Sequence, residues 1–246
     1  MSRSWTKQIS WSQSFLHRGV RQRPSPITAI LIMWVKICGT TNLEDARVAV
    51  EAGADALGFI FAPSPRRISP KDAKKIIAEL PKEVEKVGVF VNQKLEIVRD
   101  TIEVAGLTAI QFHGEEEPEF ASLFKKYKVR VYKALRAETV RHEADRFDGI
   151  ADALFVDAGT PKKRGGTGRT FDWDEAAPFV RLLRRRAKVV IAGGLEPGNV
   201  SRAIELFQPW GVDVVSGVEK EPGKKDHEKV RAFVKAAKEA ADRVIG

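Results

Sequence analysis

The sequence predicts an α/β fold, a single (β/α)8 TIM barrel, preceded by an N-terminal extension that lies outside the domain. From Met33 onward, short β-branched or apolar runs alternate with amphipathic segments at helical spacing. The chain contains eight of each, and strict alternation requires parallel strands joined by right-handed crossovers. Eight such units in roughly 200 residues meet the lower size limit of a closed barrel.

The predicted strands share apolar or β-branched runs, and the predicted helices share an apolar stripe with a period of 3.6 residues. The strands are Trp34–Cys38, Ala56–Phe61, Lys86–Val91, Ala109–His113, Val129–Leu135, Ala153–Asp157, Val189–Gly193 and Val212–Ser216. The helices are Leu43–Ala52, Pro70–Leu80, Glu96–Ala105, Glu117–Lys126, Thr139–Phe147, Asp174–Arg186, Pro197–Phe207 and His227–Val244. Asn42 and Ser69 are predicted N-caps, because such side chains accept hydrogen bonds from the first free amides of a helix.

A doubly wound open sheet is the competing fold. That fold commonly carries G-x-G-x-x-G after its first strand. Here the first strand is followed by Gly39-Thr40-Thr41-Asn42, and the glycine-rich turns come late in the chain. Late glycines favour the barrel, because its last two loops often bind phosphate.

The positive charge is concentrated in the extension, residues 1–32. The chain has a net charge of +9, and this segment holds five basic residues and no acidic one. The remaining residues include 37 basic against 33 acidic ones, which fits a solvated surface of mixed charge. Three interpretations of the extension remain open: a translation start placed upstream of Met33, a targeting segment, and an ordered accessory segment.

We expect no nucleic-acid partner and no membrane partner. The cationic stretch Arg181–Lys188 is the best nucleic-acid candidate, but it equally fits the outer face and last turn of a helix. No run of about 18 apolar residues occurs. The single cysteine, Cys38, excludes an internal disulfide and a cysteine-based metal cluster. We therefore expect a soluble, cytoplasmic protein.

Candidate catalytic residues are sought at the carboxyl ends of the strands, where parallel barrels carry their active sites. Cys38 ends the first strand and shares a face with Lys36, so we expect both side chains to point toward the barrel axis. A thiol beside a fixed positive charge becomes more acidic and can then accept a proton. The alternative is that Cys38 is a small buried hydrophobe.

Asp157 ends the sixth strand on the same face as Phe155. A carboxyl group against an apolar wall tends to keep its proton and can serve as a general acid. The alternative is a helix cap or a salt bridge with Lys162 or Arg164. Together, Cys38 and Asp157 would supply the base and the acid that an isomerase needs.

Two glycine-containing loops predict a phosphate site. Gly193-Gly194-Leu195 follows the seventh strand and Ser216-Gly217-Val218-Glu219 follows the eighth. Their backbone amides can approach an anion closely, although ordinary βα turns would look similar. A longer glycine-rich segment, Gly159–Thr170, predicts a mobile lid.

Three further polar residues belong to the same end of the barrel. His113 is interpreted either as a base or as a donor to a backbone carbonyl. Asp213 lies within the eighth strand, where a carboxylate needs a partner. Arg66, in the loop after the second strand, is expected to pair with Asp213 or with a substrate carboxylate.

Eight motifs in order between Met33 and Gly246 carry a family resemblance. They are Lys36–Asn42, Gly53–Phe59, Ser64–Arg66, Gln111–Gly114, Asp157 with Gly165–Gly168 and Phe171–Trp173, Ala192–Leu195, Ser216–Glu219, and Pro222–Asp226. In these motifs the chain resembles the phosphoribosylanthranilate isomerases of tryptophan biosynthesis. It departs from them in the extension and at Arg67, where a tyrosine is common.

The resemblance implies an Amadori rearrangement of N-(5-phosphoribosyl)anthranilate to 1-(2-carboxyphenylamino)-1-deoxyribulose 5-phosphate, without a cofactor or metal. It implies Asp157 as the general acid and Cys38 as the general base. The implied substrate-binding residues are Arg66 for the anthranilate carboxylate, Asp213 near the anthranilate nitrogen, His113, and Gly193, Gly194, Ser216 and Gly217 for the phosphate. The expected partner is this small phosphorylated substrate, and the expected assembly is a monomer or a homodimer.

Other phosphate-binding barrels are the nearest alternatives. Indole-glycerol-phosphate synthase and the sugar isomerase of histidine biosynthesis centre on a lysine–glutamate set or an aspartate pair, whereas here the first strand ends in Cys38. A barrel used as an inactive scaffold is disfavoured by the intact acid and base positions.

Overall fold

Eight parallel strands close into a barrel, which confirms the predicted fold. The computed structural model describes residues 33–157 and 173–245. The strands are β1 (Trp34–Cys38), β2 (Ala56–Ile60), β3 (Glu85–Phe90), β4 (Ala109–Phe112), β5 (Arg130–Arg136), β6 (Ala153–Asp157), β7 (Val189–Ala192) and β8 (Gly211–Val214). Each pairs with the next, and β8 pairs back to β1 with Lys36 opposite Asp213. The predicted extension and the predicted lid lie outside the described residues.

Helices connect the strands and form the outer layer. They are α1 (Leu43–Glu51), α2 (Pro70–Ile77), α3 (Leu95–Ala105), α4 (Pro118–Ser122), α5 (Val140–Glu143), α6 (Trp173–Leu183), α7 (Val200–Phe207) and α8 (His227–Ile245). Asn42 and Ser69 cap α1 and α2 as predicted, accepting hydrogen bonds from the amides of Asp45 and Asp72. In the described ranges, no helix is long and apolar enough to cross a membrane.

The fourth and fifth predicted helices differ most from the structure, while the second, sixth and seventh are each shortened by about one turn at one end. The segments Glu117–Lys126 and Thr139–Phe147 each hold a short α-helix followed by a 3₁₀ turn, Lys125–Tyr127 and Ala144–Phe147 respectively. Both are brief amphipathic stretches, and helices this short are commonly finished by a tighter 3₁₀ turn.

The barrel interior is filled at its amino-terminal end by apolar side chains. This set, the floor cluster, consists of Trp34, Ala56, Val87, Ala109, Tyr132, Ala134, Ala153, Phe155 and Val190. Trp34 packs edge-on against Tyr132 and Phe155, with ring centroids 6.1 and 6.0 Å apart. The alternate strand residues point outward and pack against the helices. Polar inward residues are therefore concentrated toward the carboxyl ends of the strands, called here the mouth.

An unpredicted hairpin follows β8. After a 3₁₀ turn at Ser216–Val218, strands β9 (Glu219–Glu221) and β10 (Lys224–Lys225) pair antiparallel. Pro222 and Gly223 form the turn between them. This hairpin brings Glu219 and Lys225 back against the mouth.

Candidate active site

A buried ion pair between β1 and β8 lies beside Cys38. Lys36 Nζ and Asp213 Oδ1 are 2.9 Å apart, and both side chains are buried. Lys36 also lies over the ring of Phe155, with Nζ 5.2 Å from the centroid, so it points into the barrel. Cys38, two residues later on the same face, is 3% exposed and is a free thiol. The predicted orientation of Lys36 and Cys38 is confirmed.

The structure pairs Asp213 with Lys36 and not with Arg66, which was one of the two predicted arrangements for Arg66. Asp213 stands directly opposite Lys36 in the β1–β8 register, so the two inward side chains meet without any loop contribution. Burial by itself would lower the pKa of Lys36, but the Asp213 carboxylate, together with Cys38, more than offsets this and holds that pKa above its usual value. The pair is therefore a charged one.

In the structure, burial opposes the predicted acidity of the Cys38 thiol. Burial raises the pKa of Cys38, and the Asp213 carboxylate acts in the same direction. The ammonium groups of Lys36 and Lys225 favour the thiolate, but burial outweighs them. The sequence places Lys36 beside the Cys38 thiol, but it does not reveal that the Asp213 carboxylate lies 2.9 Å from the Lys36 ammonium.

Arg66 is held by Glu219. Its Nε lies 2.9 and 3.0 Å from the two carboxylate oxygens, and Nη2 lies 2.7 Å from Oε2. Hydrogen bonding to Glu219 raises the pKa of Arg66 further, so the guanidinium stays charged. Arg67 is exposed and bridges back to Ile60. Of the two adjacent arginines, Arg66 is the one paired with a residue of the mouth.

His113 and Asp157 lie on the other side of the mouth. Both line a cavity of about 640 Å³ at the carboxyl ends of β3 to β6, whereas Cys38 and Arg66 do not line it. His113 reaches solvent, yet burial against the barrel, with the charge of Lys36, lowers the pKa of its imidazole. The alternative partners of Asp157, Lys162 and Arg164, lie outside the described residues.

The two glycine loops meet at the mouth. Gly193 and Gly194 have φ values of +80° and +65°, a left-handed conformation that favours glycine. A Cβ on Gly217 would lie 1.9 Å from the carbonyl oxygen of Leu195, so no other residue fits there without moving a loop. Ser216 is exposed. The loops after β7 and β8 are thus packed together at the mouth, on the side of the barrel where β8 neighbours β1.

Sequence reasoning assigned no role to Glu219 or Lys225. Both lie in motifs that carried the resemblance, and Pro222-Gly223 between polar runs is a turn signal. That signal predicts a turn but not its docking, because Glu219 and Arg66 are 153 residues apart in sequence.

The cationic stretch Arg181–Lys188 is engaged locally. Arg181 and Arg184 donate hydrogen bonds to the carbonyls of Leu206 and Gln208. Arg186 pairs with Asp145, and Lys188 lies over the ring of Trp210. These contacts favour the helix-face interpretation of the stretch.

Comparisons with known proteins agree with this geometry. Residues 35–236 match the family model described as N-(5'phosphoribosyl)anthranilate (PRA) isomerase. An N-(5'-phosphoribosyl)anthranilate isomerase from Pelobacter propionicus is 47% identical over 206 residues, covering 83% of this chain and 95% of that protein.

Solved structures give the same result. Phosphoribosyl anthranilate isomerase from Thermotoga maritima is 44% identical with a TM-score of 0.75, covering 84% of this chain and 99% of that one. A phosphoribosyl anthranilate isomerase in complex with reduced 1-(o-carboxyphenylamino)-1-deoxyribulose 5-phosphate is 42% identical with a TM-score of 0.73, covering the same shares. The chain belongs to the phosphoribosylanthranilate isomerase family.

Proposed function

We propose that this chain converts N-(5-phosphoribosyl)anthranilate into 1-(2-carboxyphenylamino)-1-deoxyribulose 5-phosphate in tryptophan biosynthesis. The observation that carries the proposal is family membership together with a thiol and a carboxyl at the ends of β1 and β6, on opposite sides of one mouth. A single free cysteine fits a reducing compartment, so we place the reaction in the cytoplasm.

The chemistry needs one proton donor and one proton acceptor. Asp157 donates a proton to the furanose ring oxygen, and the ring opens to an iminium. Cys38, as thiolate, removes the proton from C2 to give the enolamine, which tautomerises to the ketone. Positioned groups of this kind each contribute about 10²- to 10⁴-fold to the rate.

Asp213 and Lys36 account for how a thiol with a raised pKa becomes a base. We assign Asp213 to the anthranilate nitrogen of the substrate. When the Asp213 carboxylate engages that nitrogen, the Lys36 ammonium loses part of its neutralising partner, and its charge then acts on the Cys38 thiol. Substrate binding thereby lowers the pKa of Cys38 at the moment the base is needed.

The remaining contacts orient the substrate. We place its phosphate at the backbone of Gly193, Gly194, Ser216 and Gly217, where the two loops converge and Gly193 and Gly194 have positive φ angles. Arg66 holds the anthranilate carboxylate. His113 stands beside Asp157 in the cavity wall and binds the sugar portion.

The experiment is fluorescence-monitored turnover of freshly made phosphoribosylanthranilate by the full chain. We expect wild type to consume the substrate, and Cys38→Ser and Asp157→Asn each to lower kcat by about 10²- to 10⁴-fold. Folding of each variant is checked by its melting temperature. Wild-type turnover by both folded variants would contradict the mechanism, and no turnover by folded wild type would contradict the proposed function.

A further inference from the structure

A second buried ion pair, Glu219 with Lys225, is not used by the mechanism above. The side chains are 4% and 1% exposed, and Lys225 Nζ lies 3.1 Å from Glu219 Oε1. The same ammonium donates to the carbonyl oxygens of Cys38, at 2.6 Å, and Val215, at 3.3 Å. An ammonium has three donors, so these partners satisfy it completely. One cation thus joins the end of β1, the chain after β8, and Glu219.

Glu219 in turn fixes the orientation of Arg66. Its carboxylate takes the Nε side of the guanidinium, through Nε and Nη2. A guanidinium has five donors in a rigid plane, so this pairing leaves Nη1 and the second Nη2 hydrogen as a terminal edge. That edge has the spacing of a bidentate carboxylate contact.

The aliphatic part of Arg66 is held from the β1 side. A Cβ on Gly39 would lie 3.0 Å from Arg66 Cδ and 3.3 Å from Val215 Cγ1, so the absence of a side chain there makes room for the arginine. Gly39 directly follows Cys38 and has a φ of +76°. The base and the arginine are therefore packed against the same short stretch of backbone.

The charge balance of this cluster also favours an anion. Arg66 and Lys225 are two cations around the one carboxylate of Glu219. Burial by itself would raise the pKa of Glu219, but Arg66 and Lys225 outweigh it, so the pKa of Glu219 lies below its usual value and the group is charged. One positive charge remains, and Arg66 is the more exposed of the two cations.

We propose that Glu219 and Lys225 are positioning residues that hold the terminal edge of Arg66 at a fixed distance and orientation from Cys38. An aromatic carboxylate on the substrate is then bound at a fixed place relative to the base. The inference rests on the proposed function, because it takes Arg66 as the ligand of that carboxylate. Neither Glu219 nor Lys225 touches the substrate.

The test compares Glu219→Gln with Glu221→Gln in the full chain. Glu221 is the matched control, because it lies in the same hairpin and forms an exposed pair with Lys224. Two probes are used: reduced 1-(2-carboxyphenylamino)-1-deoxyribulose 5-phosphate, and the same compound with phenyl in place of carboxyphenyl. Dissociation constants are measured for both, together with KM and kcat.

We expect Glu219→Gln to weaken binding of the carboxylated probe by about tenfold while binding of the phenyl probe changes little, because a misplaced charge-assisted contact affects the carboxylate alone. KM should rise more than kcat falls, and Glu221→Gln should behave as wild type. In an Arg66→Met background, Glu219→Gln should have no further effect on KM.

Equal weakening of both probes, or equal behaviour of the two glutamine variants, would overturn the inference. If Glu219→Gln fails to fold, Glu219→Asp retains the charge and shortens the side chain, and an unchanged preference for the carboxylated probe in that variant overturns the inference too. Folded wild type that neither turns over phosphoribosylanthranilate nor binds the carboxylated probe would instead overturn the proposed function, and the inference with it.

Discussion

The two ends of the barrel interior are lined by different kinds of side chain, mainly apolar ones at the floor and polar ones at the mouth. At the floor, aromatic rings fill the space, and Glu85 accepts a hydrogen bond from Tyr132 Oη at 2.7 Å and lies 3.0 Å from Arg130 Nη1. At the mouth, the pair Lys36–Asp213 lies beside a thiol. The polar partners of Glu85 at the floor have no proposed contact with the substrate, whereas Lys36, Asp213 and Glu219 at the mouth each adjoin or form a group that is proposed to meet it. Inward residues near the start of the strands therefore stabilise the barrel, and inward residues near the end of the strands supply the chemistry.

The largest effect is expected from Lys36→Met. It leaves the Asp213 carboxylate buried without its cation, which should destabilise the fold by about 3–5 kcal/mol. Denaturant unfolding measures this. The control is Lys36→Met combined with Asp213→Leu, which removes both charges and should recover most of the stability while leaving turnover abolished. Equal stability of the single and double variants would show that the pair does not couple β1 to β8.

Tyr132→Phe should have a smaller effect, confined to stability. It removes one hydrogen bond to the buried Glu85, which retains Arg130, so a loss of about 1–3 kcal/mol is expected. Since Tyr132 belongs to the floor cluster, kcat per folded molecule should stay at the wild-type value. A fall in kcat at unchanged KM would mean that the floor cluster contributes to the chemistry, which would contradict its purely structural role.

Asp213→Asn should lower the pKa of the Cys38 thiol in the folded protein. The Asp213 carboxylate raises the pKa of that thiol and neutralises Lys36, so removing its charge should lower the pKa. The measurement is the pH dependence of alkylation of Cys38 by iodoacetamide, with unfolded protein as the reference. An alkylation profile of Asp213→Asn displaced to higher pH would contradict the proposed relay from Asp213 through Lys36 to Cys38.

The smallest effect is expected at His113. Its pKa is lowered from 6.5, so the unfolded chain binds a proton that the folded chain does not, and folding free energy is lost as the pH falls from 6.5 toward that lowered value. His113→Gln should reduce this slope of stability against pH. His142→Gln, at an exposed position of α5, is the control for replacing a histidine by glutamine. An identical slope in wild type and His113→Gln would contradict the prediction.

The sequence predicts the barrel because each strand and cap is a local signal. Runs such as Val189–Ala192 and caps such as Asn42 need no distant partner to be recognised. The predicted lengths of α4 and α5 are too long. Whether a short amphipathic segment ends as an α-helix or as a 3₁₀ turn depends on tertiary packing, which the sequence does not show.

Only part of the candidate site could be predicted, because some of its contacts form only when the barrel closes between β8 and β1. Cys38 and Asp157 were identified because each ends a strand on a face shared with Lys36 or Phe155, and Asp213 because a carboxylate within a strand needs a partner. The partner of Asp213 was missed because the closed barrel brings β8 beside β1, which linear sequence does not display. Glu219 was missed as the partner of Arg66 because a hairpin must first dock onto the mouth.

The most direct test of the separation between floor and mouth is kcat and melting temperature measured side by side for Cys38→Ser and Tyr132→Phe. We expect Cys38→Ser to lose about 10²- to 10⁴-fold in kcat at an unchanged melting temperature. Tyr132→Phe should melt lower and turn over at the wild-type rate per folded molecule. Wild-type kcat in Cys38→Ser would contradict the account, because the mouth thiol would then not be the base.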